Sequence, residues 1–190
     1  FKVNITVVEL DALIVTVATK WFGVTETNHH HIVNQDGVEF LKNAEIKGLK
    51  YDVVFVDACM SGAVVCPVKT FRTANAMKMM KNVLKETGTI IINLARNETE
   101  ERKFITECTE FKTLLLPTFK TCVELQYCSS VNLILICTPS ALPNSDRQMA
   151  KLNDRLRSLK QLLKIDRYLM LREIVPVQPS CSFSEFREFE

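Results

Sequence analysis

Three carboxylates, Glu9, Asp36 and Asp57, each close a short apolar run rich in β-branched or aromatic residues. That placement has chemical consequences. In open parallel sheets, ligands bind outside the carboxyl ends of the strands, near the point where the strand order reverses. One acid at such a strand end can accept from both hydroxyls of a ribose. A second can hold the amino group of an adenine, and a third can face a reacting centre, where it attracts a cation. The plainer alternative is that Asp36, like Asp11, only caps a helix, while Glu9 marks the edge of burial.

Other chemistries find less support. His29-His30-His31 cannot converge on one ion from a strand, and no H-x-x-x-H or cysteine partner stands near, so no metal is expected. No nucleophile elbow, phosphate loop or Cys/His dyad is present. Asn93-Leu94-Ala95 either lines a pocket at a strand end or simply terminates the strand.

The elements that must position these residues alternate in type. Val3–Leu10 reads as a buried parallel strand. Asp11 then caps a helix over 12–22, with Ile14, Val17, Ala18 and Trp21 on one face and Gly23 as its stop. A strand at His31–Asn34 and a helix from Val38 to Ile46 follow. Tyr51–Asp57 is a further strand, and the pattern predicts a helix over 69–86 before Gly88. Thr89–Ala95 reads as a strand, 98–110 as a helix, and Thr113–Leu116 and Val131–Cys137 as two closing strands. Strands alternating with helices predict a mostly parallel α/β sheet covered on both faces, with one antiparallel strand at an edge. Beyond Pro143, Met149, Leu152, Leu156, Leu159 and Leu163 form a helical stripe beside Lys151, Arg155, Arg157, Lys160 and Lys164. That helix either packs on the domain with a solvated basic face or docks a partner, including a second copy of the chain. Ser180–Glu190 reads as a polar tail.

Composition sets the outer bounds. The chain has 190 residues and a formal net charge of +2, too mild to argue for nucleic acid or a membrane surface. No run approaches the roughly 20 apolar residues of a membrane span. Glu9 and Asp11 interrupt the apolar N-terminal stretch, which lacks the basic start of a signal peptide. Seven cysteines, an odd number without a Cys-x-x-Cys pair, are expected as free thiols in a reducing cytosol or nucleus, the cytoplasm being the expected location.

Taken together, Val8-Glu9-Leu10-Asp11, Val17-Ala18-Thr19-Lys20-Trp21-Phe22-Gly23, Asp36-Gly37 and Tyr51–Asp57 resemble a known family. It is the spermidine-synthase-like branch of class I S-adenosylmethionine-dependent methyltransferases, and the likeness runs over residues 3–140. Within it, the sequence looks like the enzymes that methylate a lysine or the N-terminal α-amine of elongation factor 1-alpha. The resemblance implies a Rossmann-like sheet, S-adenosylmethionine as cofactor and a protein amine as substrate. It implies that Glu9 and Leu10 lie at the cofactor ribose, and Asp36 and Gly37 at the adenine. Asp57 and Ala58 would lie beside the methyl group, with Asp57 orienting the amine.

Two departures from the family pattern stand out. Aminopropyltransferases of this fold carry a second acid soon after the Asp57 position, whereas here the loop reads Ala58-Cys59-Met60-Ser61-Gly62-Ala63. Polyamine synthesis is therefore disfavoured, and a non-catalytic, methyltransferase-like interaction module becomes the main alternative. Secondly, the family's glycine-rich turn precedes an acid such as Glu9 by about 20 residues. Residues 1–140 are thus expected to be a methyltransferase domain lacking its first βα unit, and 141–190 a helical extension and tail.

Overall fold

The computed structural model describes residues 3–60, 65–95, 101–127, 132–141, 146–163, 171–179 and 181. They fall into two units, Phe1–Leu49 and Lys50–Glu190.

In the first unit, β1 (Ile5–Glu9) and β2 (His30–Asn34) pair in parallel, from Ile5 opposite His30 to Glu9 opposite Asn34. The connecting helix α1 (Ala12–Phe22) has the expected ends. The Leu13 N–H donates to Asp11 Oδ1 at 2.8 Å, and Gly23 closes the helix at φ +67°, a left-handed conformation open to glycine. Helix α2 (Gly37–Ile46) follows, burying Leu41 and Ala44. The expected burial of the first strand and helix does not hold. Ile5 and Val7 of β1 are exposed, and α1 buries no residue, with Trp21 at 73% exposure. The periodicity marks which face is apolar, but within this unit no described residue covers that face.

The second unit begins with β3 (Tyr51–Val56). A loop, a 3-10 turn at Lys69–Phe71 and helix α3 (Ala74–Asn82) lead into β4 (Leu84–Ala95). Helix α4 (Glu101–Thr118), β5 (Thr121–Tyr127), β6 (Asn132–Thr138), α5 (Asp146–Leu163) and β7 (Leu171–Pro176) complete it. The sheet order is β3-β4-β6-β5-β7. β3 and β4 are parallel, and β7 runs antiparallel at the far edge. β6 is also antiparallel, but lies inside the sheet between β4 and β5.

Alternation along two strands builds the core. Ile90, Ile92 and Leu94 of β4 stand opposite Cys137, Leu135 and Leu133 of β6, all turned to the buried face. Met77 and Met80 of α3 and Phe111 and Leu115 of α4 are buried as well. Each such aliphatic side chain contributes about 1.5–3 kcal/mol by leaving water.

Three element boundaries differ from the sequence reading. The long helix expected over 69–86 is shorter, because Thr73 Oγ1 caps it by accepting from the Ala76 N–H at 3.1 Å. Residues 84–88 extend the strand instead, with Leu84 opposite Tyr51. Thr113–Leu116 is helical rather than a strand. Phe104, Cys108, Phe111 and Leu115 are all buried at helical spacing, and that stripe carries the helix through the apolar run. β7 also gives an element to a region read only as helix and tail. Ser129-Ser130, Pro143, Lys164, Ser180 and 182–190 lie outside the described residues.

The cysteine expectation is corrected too. Cys59 pairs with Cys66, Cys108 with Cys181, and Cys122 with Cys137. The last pair shows why the sequence hid them. The β5–β6 register sets Cys122 directly opposite Cys137, with Cα atoms 4.1 Å apart, although both residues sit in apolar runs. Strand register is a long-range property that cysteine spacing does not carry.

Candidate active site

The parallel register of β1 and β2 delivers Glu9 and Asp36 to the same end of one sheet. That end is stitched by backbone contacts. The Gln35 N–H donates to the Glu9 carbonyl at 3.1 Å, and the Asn34 amide donates to the Glu9 and Leu10 carbonyls at 2.8 and 3.0 Å. Glu9 Oε1 accepts from the Asp11 N–H at 2.8 Å. Asp36 Oδ1 accepts from Val38 and Glu39 at the start of α2, at 2.9 and 3.0 Å. Asp36 is thus a helix cap, as the plainer alternative holds. Capping uses only one of its oxygens, however. Among the described residues, no donor reaches Glu9 Oε2 or Asp36 Oδ2. Both remain acceptors for a ligand's hydroxyl or amino hydrogens. Leu10 is exposed, and Gly37 opens α2.

Asp57 stands at the carboxyl end of β3, one residue past Val56, which pairs with Ile92 of β4. That register places Asp57 beside Asn93, whose Nδ2 donates to Asp57 Oδ1 at 2.9 Å. From sequence, Asn93 is either pocket lining or a strand terminus. A polar amide inside the run Ile90-Ile91-Ile92-Asn93-Leu94 was the available signal. The loop after Asp57 returns to the sheet. The Val68 N–H donates to the Ala58 carbonyl at 2.9 Å, and the Cys66 N–H to the Ala95 carbonyl at 2.8 Å. The Cys59–Cys66 disulfide clasps this loop. Beyond it, Arg72 and Glu107 form a mostly buried ion pair at 2.7 Å that ties the chain to α4. Residues 61–64, within the stretch lacking a second acid, lie outside the described residues.

The histidine run is engaged elsewhere. His29 Nδ1 bonds Asn4 Oδ1 at 2.6 Å, and His30 Nδ1 bonds the Thr25 carbonyl at 3.1 Å. Among the described residues no three potential metal ligands cluster, and no helix is long and apolar enough to cross a membrane.

Residues 2–146 match the family model described as the spermine/spermidine synthase domain. The chain belongs to the spermine/spermidine synthase domain family. This family's fold is also found in solved structures. Human methyltransferase-like protein 13 in complex with SAH matches with a TM-score of 0.66 at 21% identity, over 85% of this chain and 71% of that one. A probable spermidine synthase from Corynebacterium glutamicum matches with a TM-score of 0.64 at 15% identity, over 90% of this chain and 57% of that one. The architecture is therefore the Rossmann-like fold of class I methyltransferases.

Curated relatives agree with this placement. The eEF1A lysine and N-terminal methyltransferase of Danio rerio is 26% identical over 184 residues, 90% of this chain and 26% of that protein. Its Drosophila melanogaster homologue is 25% identical over 96 residues, 49% of this chain and 14% of that protein. The chain thus spans about a quarter or less of the length of these relatives.

Proposed function

We propose that this chain is the cofactor- and amine-binding part of an S-adenosylmethionine-dependent methyltransferase acting on a protein amine. The target is a lysine or N-terminal α-amine, with elongation factor 1-alpha as the first candidate. The observation that carries the reading is Asp57, an acid held by a neighbouring side chain at the end of a strand in a fold shared with methyltransferases.

The acceptor groups fit the cofactor. Glu9 Oε2 suits the paired hydroxyls of a ribose, and Asp36 Oδ2 suits an adenine amino group, because both ligand groups donate and both carboxylate oxygens accept. Leu10, Gly37 and Ala58 lie next to these acids in sequence. Bound there, the cofactor would supply an electrophilic methyl group on a sulfonium. The chain's own task is to align the amine lone pair in line with the methyl–sulfur bond and to exclude water. Asp57 orients the neutral amine by accepting one of its N–H groups. The proton shed by the methylated nitrogen passes to solvent. Because a carboxylate favours a protonated amine, Asp57 is assigned orientation and not proton removal.

The test of function uses the protein as its gene encodes it. Calorimetry should detect saturable binding of S-adenosylhomocysteine. Mass spectrometry should find methyl groups on purified elongation factor 1-alpha, lost in Asp57→Ala. Cofactor binding without transfer to this or any other protein amine would favour the non-catalytic module, which the carboxylate-free Ala58–Ala63 segment supports. Transfer of an aminopropyl group to putrescine from the decarboxylated cofactor would instead establish the synthase activity of the family's name.

A further inference from the structure

Asn93 belongs to β4, where alternation turns Ile92 and Leu94 into the core and leaves Asn93 half-buried on the opposite face. A half-buried position in the middle of a sheet suits Ile or Val at least as well as Asn. The amide has one side-chain partner among the described residues, Asp57 Oδ1 at 2.9 Å. A carboxylate only accepts, so this bond fixes the amide orientation, with Nδ2 toward Asp57 and Oδ1 away from it. Among the described residues, Oδ1 is then buried without a hydrogen-bond partner. Such orphaned acceptors are uncommon in folded proteins and call for a reason. Holding Asp57 is that reason: rotating the amide would set two oxygens against each other.

We infer that Asn93 is a positioning residue for methyl transfer, retained to lock the carboxylate of Asp57 in one rotamer at the mouth of β3 and β4. The inference rests on the methyltransferase reading and extends it to a residue that never touches cofactor or methyl group. With Asp57 Oδ1 occupied by Asn93, the other oxygen is directed to the incoming amine. Loss of the lock lets the carboxylate swing, which misaligns the amine without weakening cofactor binding.

The test compares Asn93→Leu and Asn93→Thr with the unaltered protein, using purified elongation factor 1-alpha and S-adenosylmethionine. Leu is close to Asn in size and removes both the donor and the orphaned acceptor. Its kcat should fall about tenfold or more while KM and S-adenosylhomocysteine affinity stay within about twofold, the pattern of an interaction needed at the transition state. Its thermal midpoint should match or exceed that of the parent, because no buried acceptor is left unpaired. Thr returns a hydroxyl donor and should recover part of kcat. Unchanged kcat in Asn93→Leu would overturn the inference. So would a kcat loss that tracks a lower thermal midpoint, or a Thr variant no better than Leu. If the unaltered protein transfers no methyl group to any amine, the functional reading itself fails, a result distinct from all of these.

Discussion

Lys112 and Glu124 form an ion pair at 3.1 Å, with side chains only 3% and 10% exposed, joining α4 to β5 beneath the sheet. A buried pair of this kind need not add net stability, but removing one partner strands the other's charge. Glu124→Ala should therefore cost about 3–5 kcal/mol, whereas the double variant Lys112→Met with Glu124→Leu should be close to neutral. Urea unfolding of the single and double variants checks both values.

Gly88 marks the irregularity between β3 and β4, where the partner of Tyr51 is Leu84 but that of Val53 is Thr89. A Cβ at Gly88 would lie 3.0 Å from the Tyr51 carbonyl and from the backbone N and O of Lys85. None of these backbone atoms can step aside cheaply. Gly88→Ala should destabilise the protein by about 1–3 kcal/mol, read as a lower denaturant midpoint.

Asp36 serves as a cap and, in the proposal, as a cofactor contact, and one substitution separates the two roles. Ser is as good an N-cap as Asp, so Asp36→Ser should keep stability within about 0.5 kcal/mol. It should still weaken S-adenosylhomocysteine binding about tenfold, because a charge-assisted hydrogen bond is lost. Wild-type affinity in this variant, measured by calorimetry, would reduce Asp36 to a cap.

Glu9 spends one carboxylate oxygen on the Asp11 N–H and leaves the other to a ligand. Glu9→Ala should raise the Kd for S-adenosylhomocysteine about 10- to 100-fold, the range for hydrogen bonds to a charged group. Far-ultraviolet circular dichroism should stay unchanged.

The disulfides differ in the length of chain they close. Cys108–Cys181 spans 73 residues and Cys122–Cys137 spans 15. Loop-closure entropy then predicts that Cys108→Ser costs about 4 kcal/mol and Cys122→Ser about 3 kcal/mol. Both differences should vanish when unfolding is measured with a reductant present.

The chemistry-bearing acids were legible because strand ends are local features. An apolar β-branched run closed by an acid needs no knowledge of its neighbours, and Glu9, Asp36 and Asp57 all stand at or just past strand ends. Helix α1 was legible down to Asp11 and Gly23, since caps are short-range hydrogen-bond and backbone preferences. Thr113–Leu116 reads as a strand from sequence because three consecutive leucines carry no period of their own. Only the stripe running on from Phe104 makes them helical.

By itself, then, the sequence determined the βα alternation, the strand-end carboxylates and the family that shares them, all of which follow from patterns a few residues long. Tertiary structure alone decided which residues meet across strands. It set Asn93 against Asp57 and Cys122 against Cys137. The physical reason is register. A one-residue slip of any strand leaves its apolar pattern readable but changes every partner across the sheet. Pairing partners are therefore fixed by packing of the whole core, not by any local run of residues.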